Sequence, residues 1–334
     1  MFDNIQGLGN KHKVAGVTGR IEFTVINKIS IMVRILLLIF WGIESNITAK
    51  GGTTIKTINT SVITEAVKKM CQDANFNLGN DVMEAFKKYY ESEVSLTGKE
   101  ILQILIKNAE IAREEQAPMC QDTGFAVVFV ELGQDVRIEG GDFYEAINEG
   151  VRQGYTEGYL RKSIVSHPLE RKNTGDNTPA VIHTKIVPGK NLRIIVAPKG
   201  GGSENMSAIK MLKPADGVEG VKKFVVDTIK AAGPNPCPPV VVGVGIGGTY
   251  EKAALLSKEA LLRELGEKSK YPDIAKLEEE LLEEINKTGV GPQGLGGKTT
   301  ALAVHIEIYG AHIASLPVAV NLNCHAARHK EVVL

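Results

Sequence analysis

Residues 180–205 read A-V-I-H-T-K-I-V-P-G-K-N-L-R-I-I-V-A-P-K-G-G-G-S-E-N. Two runs rich in β-branched and apolar residues, 180–187 and 191–197, flank P-G-K at 188–190, which predicts two strands joined by a tight turn. No helical pattern lies between them, so this stretch does not read as a regular strand–helix–strand repeat. Three consecutive glycines follow, Gly200, Gly201 and Gly202. Their backbone N–H groups can approach an anion such as a carboxylate or phosphate, and the plain alternative is a flexible turn.

Upstream of this stretch, Val62, Ile63, Ala66, Val67 and Met70 recur at helical spacing over 61–74, and 80–90 reads as a second helix. T-G-K-E at 97–100 reads as a capping box heading a long helix, with Ile101, Leu102, Ile104, Leu105, Ala109 and Ile111 on its buried side. A strand over 125–132 and a helix over 142–156 precede the polar stretch 159–178. Downstream, helices are predicted over 216–231, 251–267 and 273–287, and strands over 240–245, 300–308 and 315–322. The two patterns alternate irregularly, which predicts an α+β (mixed α/β) fold, several helices packed on mixed sheets, rather than a doubly wound one.

The chain has 334 residues, enough for one large domain or two modest ones, and 43% are hydrophobic, enough to build a core. Basic and acidic residues balance at 39 each with no basic block, which argues against nucleic acid as a partner. Any anion must be bound by a local site. The apolar run 29–43 contains Arg34 and is shorter than the roughly 20 residues of a membrane helix. It is followed by no clean signal-cleavage site. Regular patterning begins near Thr54, so residues 1–52 are expected to be a disordered or untranslated extension and 53–334 the folded domain. No membrane association is expected.

Four cysteines are too few for a disulfide scaffold in a chain this long. Cys71 lies in a helical pattern and reads as a buried core thiol. The other three lie in loop-like contexts: P-M-C-Q-D-T-G around Cys120, G-P-N-P-C-P-P around Cys237 and N-L-N-C-H-A-A-R-H around Cys324. Three thiolates from three loops could hold an iron–sulfur cluster and leave one iron open as a Lewis acid. Zinc is the competing metal, through H-A-A-R-H at 325–329 beside Cys324, but no close cysteine pair accompanies it.

Two further glycine-rich stretches invite a nucleotide reading. Gly243, Gly245 and Gly248 fit G-x-G-x-x-G after a strand, yet the acidic residues near the expected spacing, Glu264 and Glu267, fall in a predicted helix. Gly297, Lys298 and Thr299 evoke the end of a P-loop, but Pro292 stands where that loop needs glycine.

The ordered set M-C-Q-D-T-G, K-G-G-G-S-E-N-M-S, G-P-N-P-C-P-P, G-P-Q-G-L-G-G and N-L-N-C-H-A-A-R-H resembles the alpha subunit of two-subunit class I (iron–sulfur) fumarate hydratases and the related L-tartrate dehydratases. The resemblance spans about 54–334. It implies a [4Fe–4S] cluster on Cys120, Cys237 and Cys324, with the cluster-binding loops at one face of the fold. It implies Gln121, Arg161 and Gly201 as substrate-binding residues and Asp122 and His312 as catalytic ones, His312 near the substrate hydroxyl as a proton relay or orienting group. It further implies a cytoplasmic hetero-oligomer, with a beta-type subunit supplying the catalytic base and more carboxylate clamps, and a small dicarboxylate substrate. The expected reaction is reversible hydration of fumarate to L-malate. The alternatives are L-tartrate dehydration, a non-catalytic metal-binding partner subunit, and a nucleotide-binding module on Gly243–Gly248.

Overall fold

The structure, a computed structural model, describes residues 55–334, so the expectation for 1–52 lies outside the described residues. The elements run β1 (Lys56–Asn59), α1 (Thr60–Phe76), α2 (Asn80–Ser92), α3 (Leu96–Glu115), β2 (Phe125–Gly133), β3 (Val136–Glu139), α4 (Phe143–Glu157), β4 (Val181–Val187) and β5 (Leu192–Lys199). They continue with the one-turn α5 (Gly201–Glu204), β6 (Ala208–Leu212), α6 (Gly217–Ala232), β7 (Val240–Gly248), α7 (Tyr250–Ala260), α8 (Pro272–Asn286), β8 (Ala301–Ala311), β9 (Leu316–Asn323) and β10 (Lys330–Val333). The fold is α+β with mixed sheets, as the sequence predicts.

Two four-stranded sheets carry the architecture, ordered β10-β5-β2-β4 and β6-β9-β7-β8, and β1 pairs with β3 in parallel. Alternation along β2 splits its side chains between two cores. Ala126, Val128 and Val130, with Leu192, Ile194 and Val196 of β5, pack on α1 and α4 through Ile63, Val67, Ile147 and Val151. Val127, Phe129 and Ile195 point the other way, toward Leu255 of α7. In the second sheet Val242, Val244, Val320 and Leu322 pack against Val225 and Ile229 of α6 and Leu281 and Ile285 of α8. Helix α7 lies on the opposite face of β7. There Gly243 and Gly245 allow the contact, because a Cβ on either would stand 2.1 Å from the carbonyl of Ser257 or Ala253. A single helix therefore fills the layer between the two sheets.

The structure corrects five local expectations. Ile104 and Ile111, expected on the buried side of α3, are exposed, at 64% and 40%. The strands over 180–187 and 191–197 do not form a hairpin: β4 pairs with β2 in parallel and β5 pairs with it antiparallel, so they straddle β2. The P-G-K connection instead wraps the end of β2, with Gln134 N donating to Val187 O and Asp135 N to Gly189 O. The cap of α3 is Ser95, whose hydroxyl accepts from Gly98 N at 3.1 Å; Thr97 is already inside the helix. Helix α7 stops at Ala260 rather than near 267. Beyond it Arg263 pairs with buried Glu278 at 2.6 Å and Leu265 N donates to Asp81, contacts that draw the chain off the helical path. Finally, Gly243–Gly248 lie within β7, not in a loop open to a phosphate. Strands β1, β3, β6 and β10, each four or five residues long, had no expectation.

Candidate active site

The three loop cysteines follow or precede elements of the core. Cys120 sits between α3 and β2, where Met119 N donates to Asn75 O and Asn108 donates to Met119 O at 2.8 Å. Cys237 lies between α6 and β7, and the carbonyl of Pro238 accepts from both Gln293 N and Gln293 Nε2. The glycine-rich loop at 291–297 thus braces the Cys237 loop. Cys324 directly follows β9. Hydrogen bonds join the loops to one another: His325 N donates to Cys237 O at 3.1 Å, and Arg328 Nη2 donates to Asp122 O at 2.6 Å. Cys237 is exposed as a residue, but partial burial of its thiol pushes it upward, and the charges of Cys324 and Cys120 act in the same direction. Burial also raises Cys324, with Arg328 opposing and Cys120 adding to the rise. Cys237 also holds φ at 53°, a left-handed conformation that costs a residue with a Cβ roughly 1–2 kcal/mol. Cys71 is fully buried in α1, apart from this trio, as its helical pattern predicts.

Two residues past Cys120, the Asp122 carboxylate is fixed at both oxygens: Gly124 N donates to Oδ1 at 3.1 Å and Gly201 N to Oδ2 at 2.7 Å. Fully buried Tyr155 on α4 holds the same loop, its hydroxyl 2.8 Å from Thr123 O and 2.9 Å from Gly124 O. Thr123 Oγ1 donates to Arg161 O, which ties the Asp122 loop to the segment carrying Arg161. Asp122, Arg161 and Gly201 all line one cavity of about 700 Å³ between the first sheet and α7.

Four further charged side chains line that cavity: Lys199, Glu204, Glu251 and Lys258. Lys199 is 7% exposed and donates to Leu322 O at 2.5 Å and Ser203 Oγ at 3.0 Å, with Glu204 at 3.4 Å. Burial lowers its ammonium to about 8. Glu204 also takes Lys258 at 2.6 Å and Asn321 at 3.0 Å; burial would raise its carboxyl, and the two lysines with Asn321 bring it to about 2. Sequence reasoning weighed only the glycines of K-G-G-G-S-E-N, although the same motif displays Lys199 and Glu204. Lys258 and His183, which also lines the cavity, carried no local signal.

Gln121 and His312 stand differently. Gln121 is exposed, and its Oε1 is 3.4 Å from Cys120 Sγ. His312 is exposed in the turn between β8 and β9, its Nδ1 accepting from Ala314 N. It lines a separate depression that shares Tyr250 with the cavity.

The family model for fumarate hydratase (fumerase) matches residues 64–333. This chain belongs to that family. It is 47% identical over 272 residues to a Methanocaldococcus jannaschii protein provisionally named L(+)-tartrate dehydratase subunit alpha, covering 80% of this chain and 95% of that one. It is 35% identical over 269 residues to the L(+)-tartrate dehydratase subunit alpha of Escherichia coli K12, covering 80% and 88%. In this chain the glycine-rich loop at 297–299 has an internal partner. The buried Glu93 carboxylate accepts from Lys298 N and Thr299 N, as well as from Val94 N and Ser95 N, so the P-loop-like nest is filled by the chain's own anion. Among the described residues no helix is long and apolar enough to cross a membrane.

Proposed function

We propose that this chain is the alpha-type subunit of an iron–sulfur hydro-lyase acting on a four-carbon hydroxy-dicarboxylate. The observation that carries the reading is the cavity joining Asp122, Arg161 and Gly201, its Asp122 loop hydrogen-bonded to the loop of Cys324. Three free loop cysteines form a donor set of soft sulfurs, the ligands by which iron–sulfur clusters are held. The strained backbone at Cys237 agrees with that role.

Cys120, Cys237 and Cys324 would hold a [4Fe–4S] cluster, which when bound supplies an open iron as the Lewis acid that a poor leaving group such as hydroxide needs. Arg161 offers a planar fork for one substrate carboxylate, and Gln121 and Gly201 contribute polar contacts beside it. Asp122, oriented by two backbone N–H groups, is positioned to hold or release a proton at the substrate. His312 is proposed as the proton relay at the substrate hydroxyl. A beta-type subunit would supply the carbon base and further carboxylate clamps, in keeping with the subunit alpha names of both relatives.

Those names also make L-tartrate the first substrate to try, with fumarate and L-malate as the second reading. The full chain, co-produced with its partner and reconstituted anaerobically with iron and sulfide, is expected to form oxaloacetate from L-tartrate or fumarate from L-malate. Activity is expected to disappear on exposure to air. C120S, C237S and C324S should each lose bound iron, and C71S should keep it. Full turnover by metal-free protein would sink the reading.

A further inference from the structure

Arg328 is 5% exposed, yet only one of its three guanidinium nitrogens has a partner. Nη2 donates to Asp122 O at 2.6 Å; Nε and Nη1 are buried with no hydrogen-bond acceptor. A guanidinium stays charged at any physiological pH, and buried donors without acceptors are rare enough to require a reason. The position of this one is specific. It lies four residues past Cys324 in the same loop, and the carbonyl it holds lies two residues past Cys120. The side chain therefore clamps two of the three cysteine loops together while two N–H groups remain unspent.

We infer that the two open Arg328 donors serve sulfur acceptors of the bound cluster, making Arg328 a positioning residue that sets how readily the cluster gains or loses an electron. The inference rests on the iron–sulfur reading of the three cysteines and goes beyond it. Hydrogen bonds and positive charge at cluster sulfurs favour the reduced form, because reduction adds electron density to those sulfurs. The competing account is a water. A void of about 20 Å³ lined by Asn323, Arg328 and His329 is large enough for one, and a water there would occupy the donors without touching the cluster's electronics.

The test uses the full chain reconstituted with iron and sulfide under argon, as wild type, R328M and R328K. Spin-counted electron paramagnetic resonance at one fixed ambient potential gives the ratio of reduced to oxidised cluster, and iron release in air gives a second readout. R328M is expected to hold iron but to lower the reduced-to-oxidised ratio about tenfold, the size of one charge-assisted hydrogen bond lost from a buried acceptor. Its iron release should be correspondingly faster. R328K, which keeps the charge with a single donor centre, should fall between. If R328M does not fold, R328K carries the comparison. A folded variant with wild-type iron content, an unchanged ratio and unchanged release would overturn the inference and assign the donors to a water. A wild-type chain that takes up no iron and sulfide would instead remove the iron–sulfur reading itself, and the inference with it.

Discussion

Glu93 is the clearest case of a single side chain fixed by what it touches. It is 3% exposed and receives backbone N–H groups from both its own helix boundary and the loop at 298–299. Burial would raise its carboxyl, and the donors of Lys298, Ser95 and Thr299 outweigh burial, bringing it from 4.5 to about 2. The folded value lies below the unfolded one. The stabilisation is therefore complete above the unfolded value and is lost as pH falls from there through about 2. It amounts to about 3 kcal/mol, so E93Q should lose about that much in urea denaturation at pH 7, and much less against wild type near pH 3. An unchanged gap at the two pH values would contradict this account. The carboxylate also decides a question left by the sequence, where G-K-T suggests a phosphate loop: the nest exists and the protein fills it itself.

Helix α7 and helix α4 show how elements position the site. α7 can lie between two sheets only because β7 presents Gly243 and Gly245 to it. G243A puts a methyl carbon on the Ser257 carbonyl, so the helix must shift; the expected loss is about 2–3 kcal/mol, seen as a lower melting temperature. The cavity wall formed by Ala254, Leu255 and Lys258 moves with the helix, so binding of a dicarboxylate should weaken in the same variant. α4 acts through one atom, the Tyr155 hydroxyl beneath the Asp122 loop. Y155F keeps the packing and removes that donor. It is expected to cost about 1 kcal/mol in stability and to lower turnover more than substrate affinity, because Asp122 loses its support. Equal kcat in Y155F and wild type would separate the loop from catalysis. The helices themselves were legible in the sequence, since 60–76, 80–92 and 143–157 each carry a clear apolar stripe. The end of α7 was not, because the pairing of Arg263 with Glu278, fifteen residues away, stops it.

Across the whole described chain, the Lys199–Glu204 network stitches the two sheets together. Lys199 ends β5 of the first sheet and donates to Leu322 of β9 in the second, while Glu204 reaches Asn321 of β9 and Lys258 of α7. E204Q leaves the buried Lys199 ammonium with fewer partners and, because the Glu204 carboxylate is itself 41% exposed and screened by solvent, is expected to cost only about 1 kcal/mol in chemical denaturation at pH 7. The difference from wild type should shrink as pH falls through the carboxylate range, because the folded Glu204 carboxyl is depressed. A cost that does not vary with pH would assign the residue a packing role alone. The amino-acid sequence by itself determined the α+β class, most helix and strand positions, the reading of Cys71 as core and the separate character of the three loop cysteines, because periodicity and local turn chemistry are properties of neighbouring residues. Strand order, the splitting of 180–197 around β2, the internal filling of the 297–299 nest and the gathering of Lys199, Glu204 and Lys258 beside Asp122 were decided only by tertiary structure. Each of these depends on partners separated by tens to hundreds of residues, and no local pattern encodes which distant backbone group or charge will be brought within hydrogen-bond reach.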